Sequence, residues 1–157
     1  MNIAALLTTK DDRVLLVQRA ALALVMFPHG AQHALGWFGG FGFAGTHGWM
    51  TDTLGIPSPI AAFAIVTELV APLFLLAGLG GRVAAAGLAA ILAVAAMTHV
   101  SNGFFMNWLG ASAGEGFEYH LLAIALAASV IVRGSGAWSV DQVLSAREAV
   151  AHRRAEA

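Results

Sequence analysis

The sequence predicts an all-α, membrane-embedded bundle of four transmembrane helices, with an outward loop rich in glycine and aromatic residues and a short cytoplasmic C-terminal helix. The prediction depends on the composition, on four long apolar stretches and on the positions of the cations. Of the 157 residues, 59% are hydrophobic and 11% are charged, whereas an ordinary soluble domain is about 25% charged. A chain this short cannot bury so much apolar surface in a water-exposed globule, so lipid is the predicted solvent.

Four apolar stretches define the predicted spans, at residues 14–35, 60–79, 83–100 and 117–132. Roughly 20 apolar residues cross a bilayer core, and the second and third stretches fit that length well. The first is long enough but contains Arg19, and the fourth is short, so its polar start at Glu118 is expected at bilayer depth. A soluble bundle would show polar residues every three or four positions, and residues 83–96 contain none.

The cations predict the orientation of the chain. The connections at 36–59 and 101–116 contain no lysine or arginine, and four crossings would place all 8 cations on the same side of the membrane. They are Lys10, Arg13, Arg19, Arg82, Arg133, Arg147, Arg153 and Arg154. By the positive-inside rule, both termini are expected in the cytoplasm and the two connections outside.

Two segments flank the predicted helices. The connection at 36–59 carries five aromatic rings among its glycines, which predicts a tightly turning loop anchored at headgroup level. Residues Ser139 to Gln142 have the pattern of a capping box, which predicts a short amphipathic helix on the cytoplasmic membrane surface. The predicted organisation is a transmembrane domain at 1–137 followed by a cytoplasmic tail at 138–157.

Two charged residues are predicted at bilayer depth, where each costs about 2.5–3.5 kcal/mol on insertion scales. Glu68 lies about 12 Å below the outer end of the second helix, and Arg19 lies on the first helix nearer the inner side. The sequence predicts a structural ion pair between Arg19 and Glu68. In the alternative, Glu68 carries protons or binds a ligand, and in both cases its side chain faces inward.

Polar side chains gather at the predicted outer ends of the helices, which predicts a shared ligand pocket in the outer leaflet. The candidates for catalysis and proton exchange are His29, Glu68, His99 and Glu118. The candidates for ligand binding are Asn102 and Tyr119. In the alternative, each histidine ring only caps a helix end at the interface, and this is the expectation for His33, His47 and His120.

Three kinds of ligand would suit such a pocket. Imidazole and carboxylate could hold a transition metal through His29, His99 and Glu118, and two facing histidines could hold a non-covalent haem. The same groups suit proton exchange with a quinone-like carrier, and the residues alone do not decide among the three. The absence of cysteine from the 157 residues excludes thiolate metal sites, and the net charge of −1 argues against a nucleic-acid partner.

Short motifs follow one another in a fixed order over residues 15–141. After Arg19 they are FPHG (27–30), GWFGGFGFAGT (36–46), LGIPSP (54–59), TELVAPLFLLAGL (67–79), MTHVSNGFF (97–105), EYHLL (118–122) and GSGAWSVD (134–141). In this order they resemble the DoxX family of small four-helix bacterial membrane proteins, which includes the DoxD-like subunits of a thiosulfate:quinone oxidoreductase. The chain departs from the family at His33, commonly a lysine, and at His120, commonly a proline.

The resemblance implies a multi-pass protein of the bacterial cytoplasmic (inner) membrane that serves as a membrane component of a quinone-linked oxidoreductase, with partner subunits. The residues that the resemblance carries over are Arg19, His29, Glu68, His99, Asn102 and Glu118. The alternative is a non-enzymatic scaffold or assembly subunit for a partner complex. The substrate, catalysis by the chain itself and a homo-oligomeric state are left open.

Overall fold

The described part of the chain consists of helices joined by turns and loops, with no strand among its residues. A computed structural model describes residues 6–155, with side chains for residues 6–147. The helices are α1 (Arg13–Leu35), α2 (Gly42–Gly48), α3 (Ser58–Ala77), α4 (Gly81–His99), α5 (Glu118–Arg133) and α6 (Val140–Ala155). The predicted all-α class is confirmed, and α1, α3, α4 and α5 correspond to the four predicted apolar helices.

Three segments are long and apolar enough to cross a membrane. They are Arg13–Leu35, Ser58–Ala77 and Gly81–Asn102, with mean hydropathies of 1.5, 2.3 and 2.0. Helix α5 has 16 residues, which amounts to about 24 Å of helix against a hydrocarbon core of about 30 Å. The three long segments identify a membrane protein, whereas α5 is shorter than a typical span.

Helices α1, α3, α4 and α5 form a closed ring of neighbours. Helix α1 packs against α3, α3 against α4, α4 against α5, and α5 against α1. The core between them is built from large aliphatic residues interleaved with alanine, which lets the helix backbones approach closely; it includes Leu22, Met26, Leu75, Leu88, Leu92, Ala123, Ala127 and Val130. Other large apolar side chains, such as Leu24, Val66 and Val132, are exposed on the outside of the bundle, where lipid would cover them.

Helices α1 and α3 touch backbone to backbone at Gly30. A Cβ atom on Gly30 would lie 2.3 Å from the carbonyl oxygen of Glu68 and 2.6 Å from the Cα atom of Leu69. Only glycine fits this crossing. The glycine of the FPHG motif therefore sets the helix spacing at the position of Glu68.

The end of the bundle near the start of α1, here called the basic end, is held by Arg19. This side chain is 1% exposed, and its guanidinium donates to the carbonyls of Leu75 and Leu76 (2.8 Å to Leu76) and to those of Ala137 (3.1 Å) and Trp138 (2.9 Å). The last carbonyls of a helix have no intrahelical donor. Arg19 therefore caps α3 and ties residues 134–139 to the bundle.

The predicted ion pair between Arg19 and Glu68 is wrong. Arg19 contacts α3 at Leu75, about 10 Å along the helix axis from Glu68, and the carboxylate of Glu68 pairs with His33 instead. The physical reason is the number of acceptors at the end of α3. A guanidinium carries five N–H donors, and the unpaired carbonyls of a helix end can use several of them at once.

Arg82 caps α5 in the same way at the basic end. Its guanidinium donates to the carbonyls of Ile131 and Val132 at the end of α5 and to the carbonyl of Thr8 at 3.0 Å. Since a lipid environment offers no water to satisfy these groups, the two arginines replace solvent at the ends of two helices.

Asp141 fixes the start of α6 to the bundle. Its carboxylate is 1% exposed and accepts hydrogen bonds from the backbone N–H groups of Gly80 (2.8 Å) and Gly81 (3.1 Å) and from the hydroxyl of Ser135 (2.6 Å). The N–H groups belong to the beginning of α4, where the helix dipole favours a negative charge. Asp141 thus joins the C-terminal segment to the turn between α3 and α4.

The predicted cap of the C-terminal helix is present. The backbone N–H of Gln142 donates to the Ser139 hydroxyl at 3.2 Å, and this hydroxyl donates to the carbonyl of Gly136 at 2.8 Å. Helix α6 follows at Val140–Ala155. Its predicted apolar side includes Val150, whose side chain lies outside the described residues.

The connection between α1 and α3 is largely helical rather than an irregular loop, which corrects the prediction for 36–59. It contains a 3₁₀ turn at Trp37–Gly39, helix α2 and a π-helical turn at Trp49–Thr53. Near lipid, a backbone must satisfy its own hydrogen bonds, and helical turns do so locally. The rings of Phe38 and Phe41 remain 67% and 85% exposed.

Replacing Asp141 by alanine is expected to lower the free energy of unfolding by about 3 kcal/mol, because three buried donors lose a charged acceptor. Thermal unfolding in detergent, followed by circular dichroism, measures the effect. Asp11→Ala, which removes a carboxylate at an exposed position, is the matched control. Equal melting temperatures for the two variants would contradict the assigned role of Asp141.

Candidate functional site

A groove lies between α3 and α4 at the end of the bundle opposite the basic end. Its volume is about 490 Å³. Its apolar wall, here called the wall of the α3–α4 groove, consists of Trp49, Met50, Leu54, Ile56, Ile60, Phe63, Ala64, Gly87, Ala90, Ile91, Val94 and Ala95. Ile60, Phe63 and Val94 are exposed on the outside of the bundle, so the groove opens sideways towards the surface that lipid would cover.

The polar groups of the groove are few. They are Thr67, Glu68, Thr98, His33 and His99. Nδ1 of His33 lies 2.6 Å from Oε2 of Glu68, and the side chains of His33 and Glu68 are 36% and 7% exposed. A buried carboxylate needs a partner of this kind, so the pair is both a structural contact between α1 and α3 and a polar centre beside the groove.

His33 is thus a site residue that the sequence prediction placed at the interface. It lies seven residues after Met26, which is 2% exposed, and so continues the buried stripe of α1. This helical periodicity could have indicated from the sequence that His33 faces the inside of the bundle. The crossing at Gly30 then brings His33 within reach of Glu68.

Four aromatic rings, here called the ring series, lie next to one another beside the groove. The centroid distances are 6.0 Å from His29 to Tyr119, 5.5 Å from Tyr119 to His120, and 5.0 Å from His120 to His99. His120 is 7% exposed, which corrects its predicted interfacial position. The series connects α1, α5 and α4, and His99 also lines the groove.

Glu118 and Asn102 bond to the loop at residues 103–117, here called the outer loop after its predicted position. The carboxylate of Glu118 accepts from the backbone N–H of Met106 and from Nε1 of Trp108, both at 3.0 Å. Asn102 Nδ2 donates to the carbonyl of Glu115 at 2.9 Å, and His99 Nδ1 lies 3.0 Å from the same oxygen. Neither Glu118 nor Asn102 lines the groove.

The predicted site residues therefore lie in four places. Glu68 and His99 line the groove, and His29 and Tyr119 belong to the ring series. Glu118 and Asn102 hold the outer loop, and Arg19 lies at the basic end.

The predicted metal ligands do not come together. In the part of the chain that the structure describes, no group of three or more histidine, aspartate or glutamate side chains could hold a metal ion. The rings of Tyr119 and His120 lie between His29 and His99, so these two histidines do not form the facing pair expected for a haem. The chemistry that the site offers is proton exchange between imidazole and carboxylate.

The comparison with protein families identifies the chain. A family model described as DoxX matches residues 14–101, which is more than half of the chain and includes α1, α3 and α4. No curated protein and no solved structure matches the chain. The matched segment contains the close crossing at Gly30 and three polar groove residues, His33, Glu68 and His99. The chain is a membrane protein that belongs to the DoxX family.

Proposed function

We propose that this DoxX-family protein binds a quinone-like carrier in the α3–α4 groove and exchanges protons with it, as a membrane component of an oxidoreductase. The observation that carries the proposal is the groove itself, an apolar cavity with the buried Glu68–His33 pair on its lining. Its volume of about 490 Å³ lies within the 300–1,000 Å³ range that is typical of small-molecule sites.

The proposal includes four crossings of the bacterial cytoplasmic membrane with both termini inside. Helix α5 packs against both α4 and α1, and it begins with Glu118 and Tyr119 at the end where the groove lies. With four crossings the cations cluster at the basic end, which the positive-inside rule places in the cytoplasm. The groove then lies in the outer leaflet.

The shape of the groove favours an amphipathic ligand. Its side opening would admit a molecule dissolved in the bilayer, and the apolar wall would take a ring and the beginning of an alkyl tail. A ring carbonyl oxygen would accept a hydrogen bond from His33, and a ring hydroxyl would donate to Glu68. The protein residues thus orient the ring and hold the proton, while electrons pass between the carrier and a partner subunit.

Tryptophan fluorescence tests the binding, because Trp49 lies in the wall of the groove. We expect a short-chain quinone to quench the fluorescence of the detergent-purified protein in a saturable way. Ala90→Leu places a larger side chain in the groove and should weaken binding at least tenfold, or about 1.4 kcal/mol. Ala93→Leu is the matched control, since Ala93 is exposed on the same helix and does not line the groove.

Glu68→Gln should weaken binding of the quinol more than binding of the quinone, because the neutral amide oxygen is a weaker acceptor for the ring hydroxyl than the carboxylate. Non-saturable quenching in the wild type, or equal affinities of Ala90→Leu and Ala93→Leu, would contradict the proposal.

The alternative function, a scaffold for a partner complex, is favoured by one observation. Trp108 and Leu109 are 80% and 93% exposed in the outer loop. The indole N–H of Trp108 donates a hydrogen bond to the carboxylate of Glu118. A scaffold should recover a stoichiometric partner in a pull-down from membranes. Recovery should then depend on Trp108 and be unchanged in Glu68→Gln.

A further inference from the structure

His120 has a buried nitrogen atom without a hydrogen-bond partner. The residue is 7% exposed, and its Nδ1 atom is fully buried, with no partner in good hydrogen-bond geometry among the described residues, although the backbone of Phe117 lies near the ring. An unsatisfied buried polar atom costs about 1–3 kcal/mol. In native proteins, such an atom usually meets an ordered water or a ligand.

The surroundings of His120 are polar. Its ring lies 5.0 Å from the ring of His99 and 5.5 Å from that of Tyr119, and Tyr119 is followed by His29 at 6.0 Å. His99 lies 3.0 Å from the carbonyl oxygen of Glu115 in the outer loop, and His29 has Glu68 and His33 as electrostatic neighbours. His120 therefore lies between a residue at the outer loop and a residue beside the Glu68–His33 pair.

We propose that an ordered water binds at Nδ1 of His120, and that His99, His120, Tyr119 and His29 together form a proton route between the outer loop, which His99 contacts at the carbonyl of Glu115, and the Glu68–His33 pair of the groove, which lies near His29. An imidazole can accept a proton at one nitrogen while it releases another proton from the second nitrogen. The rings are tilted or edge-on to one another, with centroids 5.0–6.0 Å apart, and the water would bridge the edge of His120 to a neighbouring ring. Each passage moves one proton and leaves every residue in its original charge state.

The hydroxyl of Tyr119 suits a step in this route. It donates to the Sδ atom of Met26 at 3.3 Å, and a thioether is only a weak acceptor. The phenolic proton is therefore held loosely compared with one bonded to a carbonyl or carboxylate.

Titratable groups face the route from every helix of the bundle. They are His29 and His33 on α1, Glu68 on α3, His99 on α4, Glu118 and Tyr119 on α5, and Glu115 in the outer loop. The purpose of the route rests on the proposed function, since the groove ligand would supply or take the protons. The route itself can be tested without any ligand.

Solid-state NMR of ¹⁵N-histidine-labelled protein in liposomes, with no quinone present, tests the water site. We expect magnetisation from water protons to reach Nδ1 of His120 about as fast as it reaches the ring of His47, which is bonded at the surface to Ser58. The His120→Asn variant assigns the signal. Transfer as slow as that to the backbone N–H of Ala127, which is 0% exposed, would overturn the proposal.

Tyr119→Phe tests the route, because it keeps the ring and removes the hydroxyl. We expect proton exchange at Nε2 of His120, the nitrogen that the proposed water does not contact, to slow by about a hundredfold, the lower end of what a positioned proton donor contributes, while the water signal at Nδ1 stays. Unchanged exchange would overturn the route. A failure of quinone binding would leave both NMR measurements intact, so the two proposals fail separately.

Discussion

Replacing Gly30 by alanine is expected to lower the free energy of unfolding by about 3 kcal/mol, the upper end of typical overpacking penalties. The added methyl group would lie 2.3 Å from the carbonyl oxygen of Glu68, and this backbone atom can move only if α1 and α3 separate. Alanine is otherwise the better helix former by about 1 kcal/mol. A loss of stability therefore reports the helix crossing and not helix propensity.

Gly48→Ala is the matched control for this substitution. Gly48 lies in helical conformation with a φ of −59°, and the nearest atom to an added Cβ is a carboxylate oxygen of Asp52 at 3.9 Å. We expect this variant to be as stable as the wild type or slightly more stable. Chemical unfolding in mixed micelles measures both. A Gly30→Ala protein with wild-type stability would show that the crossing is looser than described.

Arg19→Met is expected to cost about 3 kcal/mol or more, because four carbonyl groups at the basic end lose charged donors. Methionine keeps most of the aliphatic volume, so packing changes little. The end of α3 and residues 134–139 should loosen together, since Arg19 bonds to both. Hydrogen exchange of the backbone amides around Leu79 and Trp138, measured by mass spectrometry, should rise in parallel with the fall in melting temperature.

Arg13→Met provides the comparison, because Arg13 is exposed at the start of α1 and the same charge is lost. Its melting temperature is expected within a few degrees of the wild type, as for most surface substitutions. If both variants lowered the melting temperature equally, the effect of Arg19→Met would come from the loss of net charge. That result would contradict the role of Arg19 as a cap of α3.

The four apolar helices α1, α3, α4 and α5 could be predicted from hydropathy alone, because a bilayer core requires a long run of apolar residues. The predicted stretch 60–79 corresponds to Ser58–Ala77, and 117–132 corresponds to Glu118–Arg133. The shifts of one or two residues come from helix ends, where proline and glycine decide the boundary. Pro57 precedes the first residue of α3, and Gly78 follows its last residue with a φ of 64°.

The site was only partly predictable, because hydropathy does not say which polar residue faces inward. His33 continues the buried stripe of Leu22 and Met26 on α1, and His120 begins the stripe of Ala123 and Ala127 on α5. Helical periodicity therefore indicated that both residues face the inside of the bundle.

The contacts of Arg19, Glu118 and Asp141 could not be predicted from periodicity. Each of these side chains bonds to backbone groups that only the complete fold brings near. The partners of Glu118 lie in the preceding loop, and those of Asp141 lie at the α3–α4 turn. For such residues the sequence indicates that a partner is needed, while the tertiary structure decides which one.

Photo-crosslinking with an azido-quinone in liposomes tests whether a quinone occupies the α3–α4 groove. We expect the label to attach to residues in the wall of the α3–α4 groove, with Phe63, Ile91 and Val94 as the mapped positions. Unmodified quinone should compete with the labelling, which should be lost in Ala90→Leu but not in Ala93→Leu. Labels spread over the lipid-facing surface of all four helices, unaffected by competitor, would show that the groove is not a quinone site.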